Sequence, residues 1–241
     1  MKREMTRKLH LGCGLTAPQS WLNVDGSFNA KIAQYPKLRK ILGGLRILPR
    51  HSLAVPWPTN VFIHDLRRPL PWPVGRFTAV YASHVLEHFF LTEARRLLVE
   101  CFRVLDSGGV ARIVVPDLDA AIKDYHIGRK HPLHDRPTDL NCTPGDDLNI
   151  RLLYHGTDPV RGSFFARMYH SASNFHEHKW MYDAPTLIKR MEEAGFKDVR
   201  QMGYLESRIP DIGEVEQEMR VLDGGLVVEG VKPRQERVTS A

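Results

Sequence analysis

The sequence predicts an α/β fold in which a mostly parallel, seven-stranded sheet carries helices on both faces. One observation is that short apolar segments typical of strands alternate with amphipathic segments typical of helices. Another is that a glycine turn directly follows the first apolar segment, and folds of this class bind ligands at the carboxyl ends of their strands. The 241 residues are enough for one sizeable core, so we expect a single domain over residues 1–241.

The predicted elements follow from these patterns. The strands are expected at residues 8–11, 22–24, 61–64, 78–82, 110–115, 199–204 and 226–231. Residues 28–50 have a mostly helical pattern, and so do residues 94–105, where Gly108-Gly109 are expected to end the helix. A further helix is predicted over residues 184–194, between a capping aspartate, Asp183, and Gly195.

The glycine turn indicates a ligand site. It reads Leu9-His10-Leu11-Gly12-Cys13-Gly14, and the next strand closes with Asn23-Val24-Asp25. Glycines separated by one residue allow a tight turn where a strand ends. The Asp25 carboxylate can accept hydrogen bonds from two ribose hydroxyls. Together these features predict a site for a nucleoside-type cofactor.

The spacing distinguishes between two cofactors. Residues 12–17 formally fit the G-x-G-x-x-G/A dinucleotide fingerprint, which opens a helix whose N-terminus holds a pyrophosphate. Asp25 follows Gly14 by only eleven positions, and Pro18 and Trp21 interrupt the gap, so a helix of normal length does not fit. S-adenosylmethionine has no phosphate and loses little without that helix. The spacing therefore favours S-adenosylmethionine over NAD.

Later motifs resemble those of class I S-adenosylmethionine-dependent methyltransferases, close to the small type-11-like branch. In chain order they are His64-Asp65-Leu66 with Leu70-Pro71-Trp72, the segment 77–88 that ends in His84-Val85-Leu86-Glu87-His88, and the segments 103–109, 178–182 and 193–196. The resemblance covers roughly residues 8–120 and 176–232. It implies a Rossmann-like methyltransferase fold and an enzyme that uses S-adenosyl-L-methionine.

The resemblance also implies the cofactor-binding residues. These are Leu11, Gly12, Cys13, Gly14, Asp25, Asp65, Leu66, Ser83 and His84. Asp65 is expected beside the adenine amino group, although it would serve equally as a turn cap. Ser83 and His84 are expected beneath the cofactor, with a structural role as the alternative. We interpret Cys13 as a small side chain packed under the cofactor, not as a nucleophile.

A long insert, residues 117–182, separates the fifth strand from the last long helix and contains seven of the twelve histidines. In this fold the connection passes over the methyl end of the cofactor, so we interpret the insert as a substrate lid. A hydroxyl acceptor needs a base near neutral pH, for which histidine is suited. His178 is the first candidate because it belongs to a family-like segment, and His170 and Tyr182 are alternatives. A structural role for His178 is the competing interpretation.

Residues 84–88 also spell H-x-x-E-H, the motif of inverted zinc proteases. That chemistry requires both histidines on one face of a helix, whereas this motif begins where a predicted strand ends. The histidines of the insert are expected to face solvent or substrate, with a divalent metal as the less favoured alternative, for which only His176 and His178 have close spacing. No metal is therefore predicted.

Composition limits the partners. The net charge is +6, but outside Lys2, Arg3, Arg7 and Lys8 the basic residues do not cluster, so nucleic acid is not favoured. No apolar run approaches the roughly 18 residues of a membrane span, and the N-terminus has no secretory pattern. Three scattered cysteines suit a reducing cytoplasm, and residues 233–241 are expected to form a flexible tail.

These inferences predict a cytoplasmic methyltransferase that acts on a small molecule or glycan precursor, by in-line O-methylation with a histidine base. The acceptor class is implied by the resemblance alone. The alternative is a non-catalytic, methyltransferase-like binding or scaffold protein. The shortened region where a first helix would lie keeps that alternative open.

Overall fold

The computed structural model describes residues 6–45, 55–129, 143–153 and 177–234. Their strands form one seven-stranded sheet in the order β3-β2-β1-β4-β5-β7-β6. The strands are β1 (Lys8–Leu11), β2 (Leu22–Asp25), β3 (Val61–Ile63), β4 (Phe77–Ser83), β5 (Leu105–Pro116), β6 (Lys197–Gln201) and β7 (Gly225–Val231). β7 is antiparallel to β5 and β6, and all other neighbours pair in parallel. The predicted mostly parallel, seven-stranded sheet is confirmed.

The described α-helices are α1 (Phe28–Ala33), α2 (Pro36–Gly44), α3 (Leu91–Val104), α4 (Leu118–His126), α5 (Pro144–Leu153), α6 (Ala184–Glu193) and α7 (Glu218–Leu222). Two short 3-10 helices span Leu86–His88 and Ile212–Glu214. α6 begins as predicted, because the Asp183 carboxylate accepts a hydrogen bond from the Thr186 N–H at 2.9 Å. None of the described helices has the length and apolar character needed to cross a membrane.

Alternate residues of the strands β4, β5 and β7 face two separate cores, as the pleat of a strand requires. On one face, apolar side chains of α3 and α6 pack on strand residues such as Val80 and Ile113. On the other face, Trp21 and Tyr81 pack with Ile209, Ile212 and Val215, which come from the segment between β6 and β7. The second core is thus covered mainly by short helices and loop.

The connection between the parallel strands β1 and β2 contains no helix, as the spacing of the glycine turn predicted. Residues 12–21 cross between the strands as turn and loop. Trp21 is buried at the end of this loop and contacts the ring of Tyr81. The segment between β6 and β7 therefore covers sheet surface near the place where a first helix would lie.

Some boundaries differ from those predicted. Helix α3 ends at Val104, and Gly108 and Gly109 lie inside β5 instead of ending a helix. The pairing of β4 with β5 shifts register between Phe77 and Ala79. The two glycines therefore lie in the irregular first part of β5. Two helices, α1 and α2, replace the single one predicted over residues 28–50, of which 46–50 lie outside the described residues. Of the predicted tail, only 233 and 234 are described.

Candidate active site

A cavity of about 550 Å³ lies at the carboxyl ends of β1, β2 and β4. Its volume falls within the range of small-molecule sites in proteins. Gly12, Asp25 and His84 line one side, from the strand ends. Ile150 and His178 line another, from the insert. One cavity therefore joins the predicted cofactor residues to the first candidate for the base.

The two glycines of the turn have different surroundings. Both adopt positive φ angles, +63° at Gly12 and +52° at Gly14, which favour glycine. A Cβ atom at Gly12 would lie only 2.4 Å from the Cγ2 atom of Val85, whereas one at Gly14 would meet nothing within 4 Å. Gly12 is therefore required for packing of the turn, and Gly14 leaves open space beside the cavity.

The Asp25 carboxylate is held in place by the backbone around it. Its Oδ2 atom accepts a hydrogen bond from the Gly14 N–H at 2.9 Å, and its Oδ1 atom accepts one from the Ser27 N–H at 2.8 Å. Each oxygen can accept a further hydrogen bond, and the residue lines the cavity. The carboxylate is fixed in orientation and keeps acceptor capacity for hydroxyl groups.

Leu11 and Cys13 are buried beside this turn and do not line the cavity. Burial, followed by the nearby charge of Asp25, raises the pKa of the Cys13 thiol to about 12. Because the thiol stays protonated at neutral pH, it is not an activated nucleophile. This placement agrees with Cys13 as a packed side chain.

Asp65 and Leu66 both line the cavity. The Asp65 carboxylate accepts hydrogen bonds from the Arg67 side chain at 2.9 and 2.8 Å and from the Arg67 N–H at 3.1 Å. These bonds with Arg67 lower the pKa of Asp65 to about 2. Asp65 therefore does act as a turn cap, the alternative role considered for it, while it remains on the cavity wall.

The end of β4 places two predicted residues differently. Ser83 is buried and does not line the cavity, whereas His84 does. His84 has a φ angle of +53°, in the left-handed region that a non-glycine residue rarely adopts. Such strain often marks functional sites. The His84 Nε2 atom lies 3.2 Å from the backbone carbonyl oxygen of Arg220, which anchors the ring.

Glu87 lies behind the cavity wall and is 0% exposed. Its Oε1 atom is 3.3 Å from His84 Nδ1 and 3.8 Å from His88 Nε2. Desolvation acts to raise the pKa of Glu87, but the two histidines outweigh it and the net pKa is lowered. Residues 84–88 form a strand end and a 3-10 turn, so His84 and His88 do not share one face of a helix. The zinc-protease arrangement is absent from this motif.

The candidates for the base lie in different environments. His178 lines the cavity, and its Nδ1 atom is 3.1 Å from the Arg151 carbonyl oxygen. Burial lowers the pKa of His178, so its ring is neutral at pH 7. Tyr182 is 1% exposed, does not line the cavity, and has a pKa raised by burial. His170 lies outside the described residues.

Sequence comparison finds a family match over part of the chain. Residues 9–113 match the family model described as a methyltransferase domain. The chain carries a methyltransferase domain. The predicted class I methyltransferase family, enzyme class and S-adenosylmethionine cofactor are thereby confirmed. No curated protein matches the chain in sequence.

Solved structures that match the chain include proteins from three organisms. A S-adenosylmethionine-dependent methyltransferase from Archaeoglobus fulgidus has 16% identity, a TM-score of 0.46, and coverage of 94% of this chain and 86% of that one. A possible histamine N-methyltransferase from Thermotoga maritima has 16% identity, a TM-score of 0.42, and coverage of 94% and 82%. A chain from the complex of the Haloferax volcanii Trm112 activator with a putative methyltransferase has 12% identity, a TM-score of 0.44, and coverage of 94% and 82%.

Several residues that line the cavity of the methyltransferase domain were not predicted. They include Lys31, Trp57, Met219, Arg220 and Asp223. Trp57 lies in the proline-rich loop before β3, and the last three lie in or next to α7. None belongs to a recognisable motif, and only the folded chain brings these segments to the cavity. A large aromatic residue in a loop, such as Trp57, was the one available signal.

Proposed function

We propose that this methyltransferase transfers a methyl group from S-adenosylmethionine to a hydroxyl group of a small molecule or glycan precursor. The observation that carries the proposal is the single cavity that runs from the Asp25 carboxylate to the His178 imidazole. We include a cytoplasmic location in the proposal, because the cysteines are few and scattered.

The residues near the glycine turn fit the proposed cofactor. S-adenosylmethionine supplies an electrophilic methyl group on a sulfonium sulfur when it is bound. Asp25 would accept hydrogen bonds from the ribose hydroxyls while the Gly14 and Ser27 N–H groups keep its carboxylate oriented. Leu66 would cover the adenine ring, with Asp65 near its amino group. His84 would line the floor of the site, with the buried Ser83 beneath it.

The residues at the other end of the cavity fit an acceptor. The insert supplies Ala121, Ile150 and Arg151 to the wall of the cavity. These contacts support the proposal that residues 117–182 form a substrate lid within a single domain. His178 would accept the hydroxyl proton, since its ring is neutral at pH 7. The acceptor oxygen then forms the new bond to the methyl carbon as the carbon–sulfur bond breaks. The protein contributes alignment and exclusion of water.

One observation favours a second candidate, a non-catalytic binding or scaffold protein. Residues 12–21 contain no helix, so the cofactor side of the sheet has less cover than a complete βαβ unit would give. Such a protein would keep the fold and bind the cofactor weakly or not at all. Calorimetric titration separates the two candidates.

The experiment is titration of S-adenosylmethionine into the protein and into Asp25→Ala. Loss of hydrogen bonds to a charged acceptor costs roughly 1.5–3 kcal/mol, so affinity should fall about 10- to 150-fold. The control is Asp106→Ala, which removes an exposed ion pair with Arg7 and an acceptor of the Ser107 N–H, both outside the cavity, and should leave the affinity unchanged. Absence of binding at millimolar cofactor would refute the enzyme proposal and favour the scaffold.

A further inference from the structure

The proposed methyl transfer leaves the buried Glu87 unexplained. Its side chain is 0% exposed, and among the described residues no hydrogen bond of good geometry reaches either carboxylate oxygen, although ring nitrogens of His84 and His88 lie 3.3 and 3.8 Å from Oε1. A buried carboxylate is costly unless it is paired, hydrogen-bonded or coordinated to a metal. The histidines around it, His84, His88 and His178, all line the cavity. Glu87 therefore lies behind the cavity wall, with its neighbours facing the cavity.

Backbone carbonyls determine how these histidines are protonated. The Nδ1 atom of His88 lies 3.3 Å from the Glu177 carbonyl oxygen, and that of His178 lies 3.1 Å from the Arg151 carbonyl oxygen. A carbonyl oxygen only accepts, so each Nδ1 carries the proton and donates it. In the tautomer that these hydrogen bonds select, Nε2 is the ring nitrogen that can coordinate a metal ion.

The three side chains come together at one point. One donor atom from each of Glu87, His88 and His178 lies within 4.8 Å of the other two. His84 approaches the same carboxylate from another direction, since its Nδ1 atom lies 3.3 Å from Glu87 Oε1. A cation coordinated between these donor atoms would compensate the charge of the buried carboxylate.

We propose that Glu87, His88 and His178 bind a divalent transition-metal ion of the Zn²⁺ class in the wall of the cavity. Two imidazole nitrogens and one carboxylate are a usual donor set for such ions. The carbonyls of Glu177 and Arg151 would orient the rings from behind, as groups outside the coordination sphere commonly do.

The separations are suitable for this role. Ligand bonds of about 2.0–2.2 Å place tetrahedral donor atoms roughly 3.3–3.6 Å apart. His88 Nε2 and Glu87 Oε1 are already 3.8 Å apart, so small side-chain rotations would complete the site. Three protein ligands leave one position open. Because His88 and His178 line the cavity, that position would face the acceptor end.

This inference rests on the proposed function only for the role of the ion, which would orient an oxygen atom of the acceptor. The presence of the site is independent of methyl transfer. A His178 ring bound to a metal is not available as a base, so ligand and base are exclusive roles. Chelator-treated enzyme that keeps full activity would assign His178 the role of base and would refute a catalytic role for the ion.

The test is calorimetric titration of Zn²⁺ into chelator-treated protein. We expect one ion per chain with a dissociation constant in the micromolar range or tighter. Glu87→Gln and His178→Ala should each weaken binding at least about 100-fold, because each removes a direct ligand. The matched control is His126→Ala, an exposed histidine at the end of α4, which should leave binding unchanged.

Two further measurements keep the test decisive if a variant folds poorly. Zn²⁺ should raise the melting temperature of the wild-type protein but not of Glu87→Gln. Co²⁺ should give an absorption spectrum of nitrogen and oxygen ligation that is absent in both variants. Absence of binding, or equal affinity in wild type and variants, would refute the site. Titration of S-adenosylmethionine into the metal-free protein separates this result from failure of the proposed function.

Discussion

Two clusters of charged or titratable residues, each of which contains a buried carboxylate, lie at different places in this molecule. They differ in how completely their polar atoms are hydrogen-bonded. The first, the Arg112 cluster, consists of Arg112, Glu216 and Glu229. The second, the Glu87 cluster, consists of Glu87 and the histidines 84, 88 and 178. Both contain carboxylates with 0–5% exposure, yet only the first satisfies all of its polar atoms among the described residues.

The Arg112 cluster is complete. The guanidinium group donates to both oxygens of Glu216 at 2.7 and 2.8 Å and to Glu229 at 3.0 Å. Its remaining N–H groups donate to the carbonyls of Gly203 and Glu206. Glu216 also accepts the Leu205 N–H, and Glu229 accepts the Ser207 hydroxyl. All donors of Arg112 are used, so no position remains for a ligand.

This completeness has a structural purpose. Arg112 lies on β5 opposite Glu229 on β7, and its other partners lie between residues 203 and 216. That segment carries Ile209 and Ile212, which cover the sheet near the helix-free connection of β1 and β2. The Arg112 cluster thus fixes the segment that provides this cover.

The Glu87 cluster differs because its carboxylate lacks donors and its histidines line a cavity. The comparison indicates that a buried network in which every polar atom is hydrogen-bonded stabilises the fold. A network with unused polar atoms beside a cavity can instead bind a ligand. It follows that variants of the first should lose stability and variants of the second should lose function.

The largest expected effect is that of Arg112→Met. Removal of the cation leaves two buried carboxylates without their partner, so the free energy of unfolding should fall by about 3–5 kcal/mol. Urea unfolding measures it. The triple variant with Glu216→Gln and Glu229→Gln should recover much of the loss, since no charge is then stranded. Equal instability of both variants would contradict this explanation.

His178→Ala should show the opposite behaviour. Loss of the imidazole, whether it acts as base or as ligand to the proposed ion, should reduce turnover about 10²–10⁴-fold, while the affinity for S-adenosylmethionine stays near that of wild type. Formation of S-adenosylhomocysteine with a panel of free and nucleotide-linked sugars measures turnover. Burial lowers the pKa of His178 below the ordinary histidine value of about 6.5. Wild-type turnover should therefore increase with pH only in the range below 6.5 and should be constant above it. Unchanged turnover, or lost cofactor binding, would assign His178 a structural role.

Glu87→Gln should change stability much less than Arg112→Met. The neighbouring histidines, unlike an arginine, can exist as neutral rings, so removal of the anion strands no permanent charge, and we expect a change below about 1 kcal/mol in metal-free protein. The folded pKa of Glu87 is lowered, so its contribution is present above about pH 4.3 and is lost as the pH falls through the folded value. Urea unfolding across this range should show the two proteins converging in acid.

The smallest expected effect is that of Tyr182→Phe. The Tyr182 hydroxyl is buried and has no hydrogen-bond partner among the described residues, so its removal should be neutral or slightly stabilising. Thermal unfolding and turnover should both match wild type. A loss of turnover with unchanged stability would instead support Tyr182 as the base and break the distinction between the clusters.

The sequence by itself determined the local features of this protein. The turn at Gly12 and Gly14, the carboxylate at the end of β2, the missing helix and the Asp183 cap all depend on residues a few positions apart. Such features follow from backbone geometry and spacing, which a single sequence displays directly.

Only the tertiary structure decided which distant residues meet. Arg112 lies 104 residues from Glu216 and 117 from Glu229, and an arginine within a strand gives no local sign of its partners. His178 lies close to Glu87, and its Nδ1 atom is 3.1 Å from the carbonyl oxygen of Arg151 in α5. The tertiary arrangement sets these contacts, and no periodicity in the sequence encodes them. The protonation and pairing of a buried carboxylate depend on such contacts, so they could be read only from the folded chain.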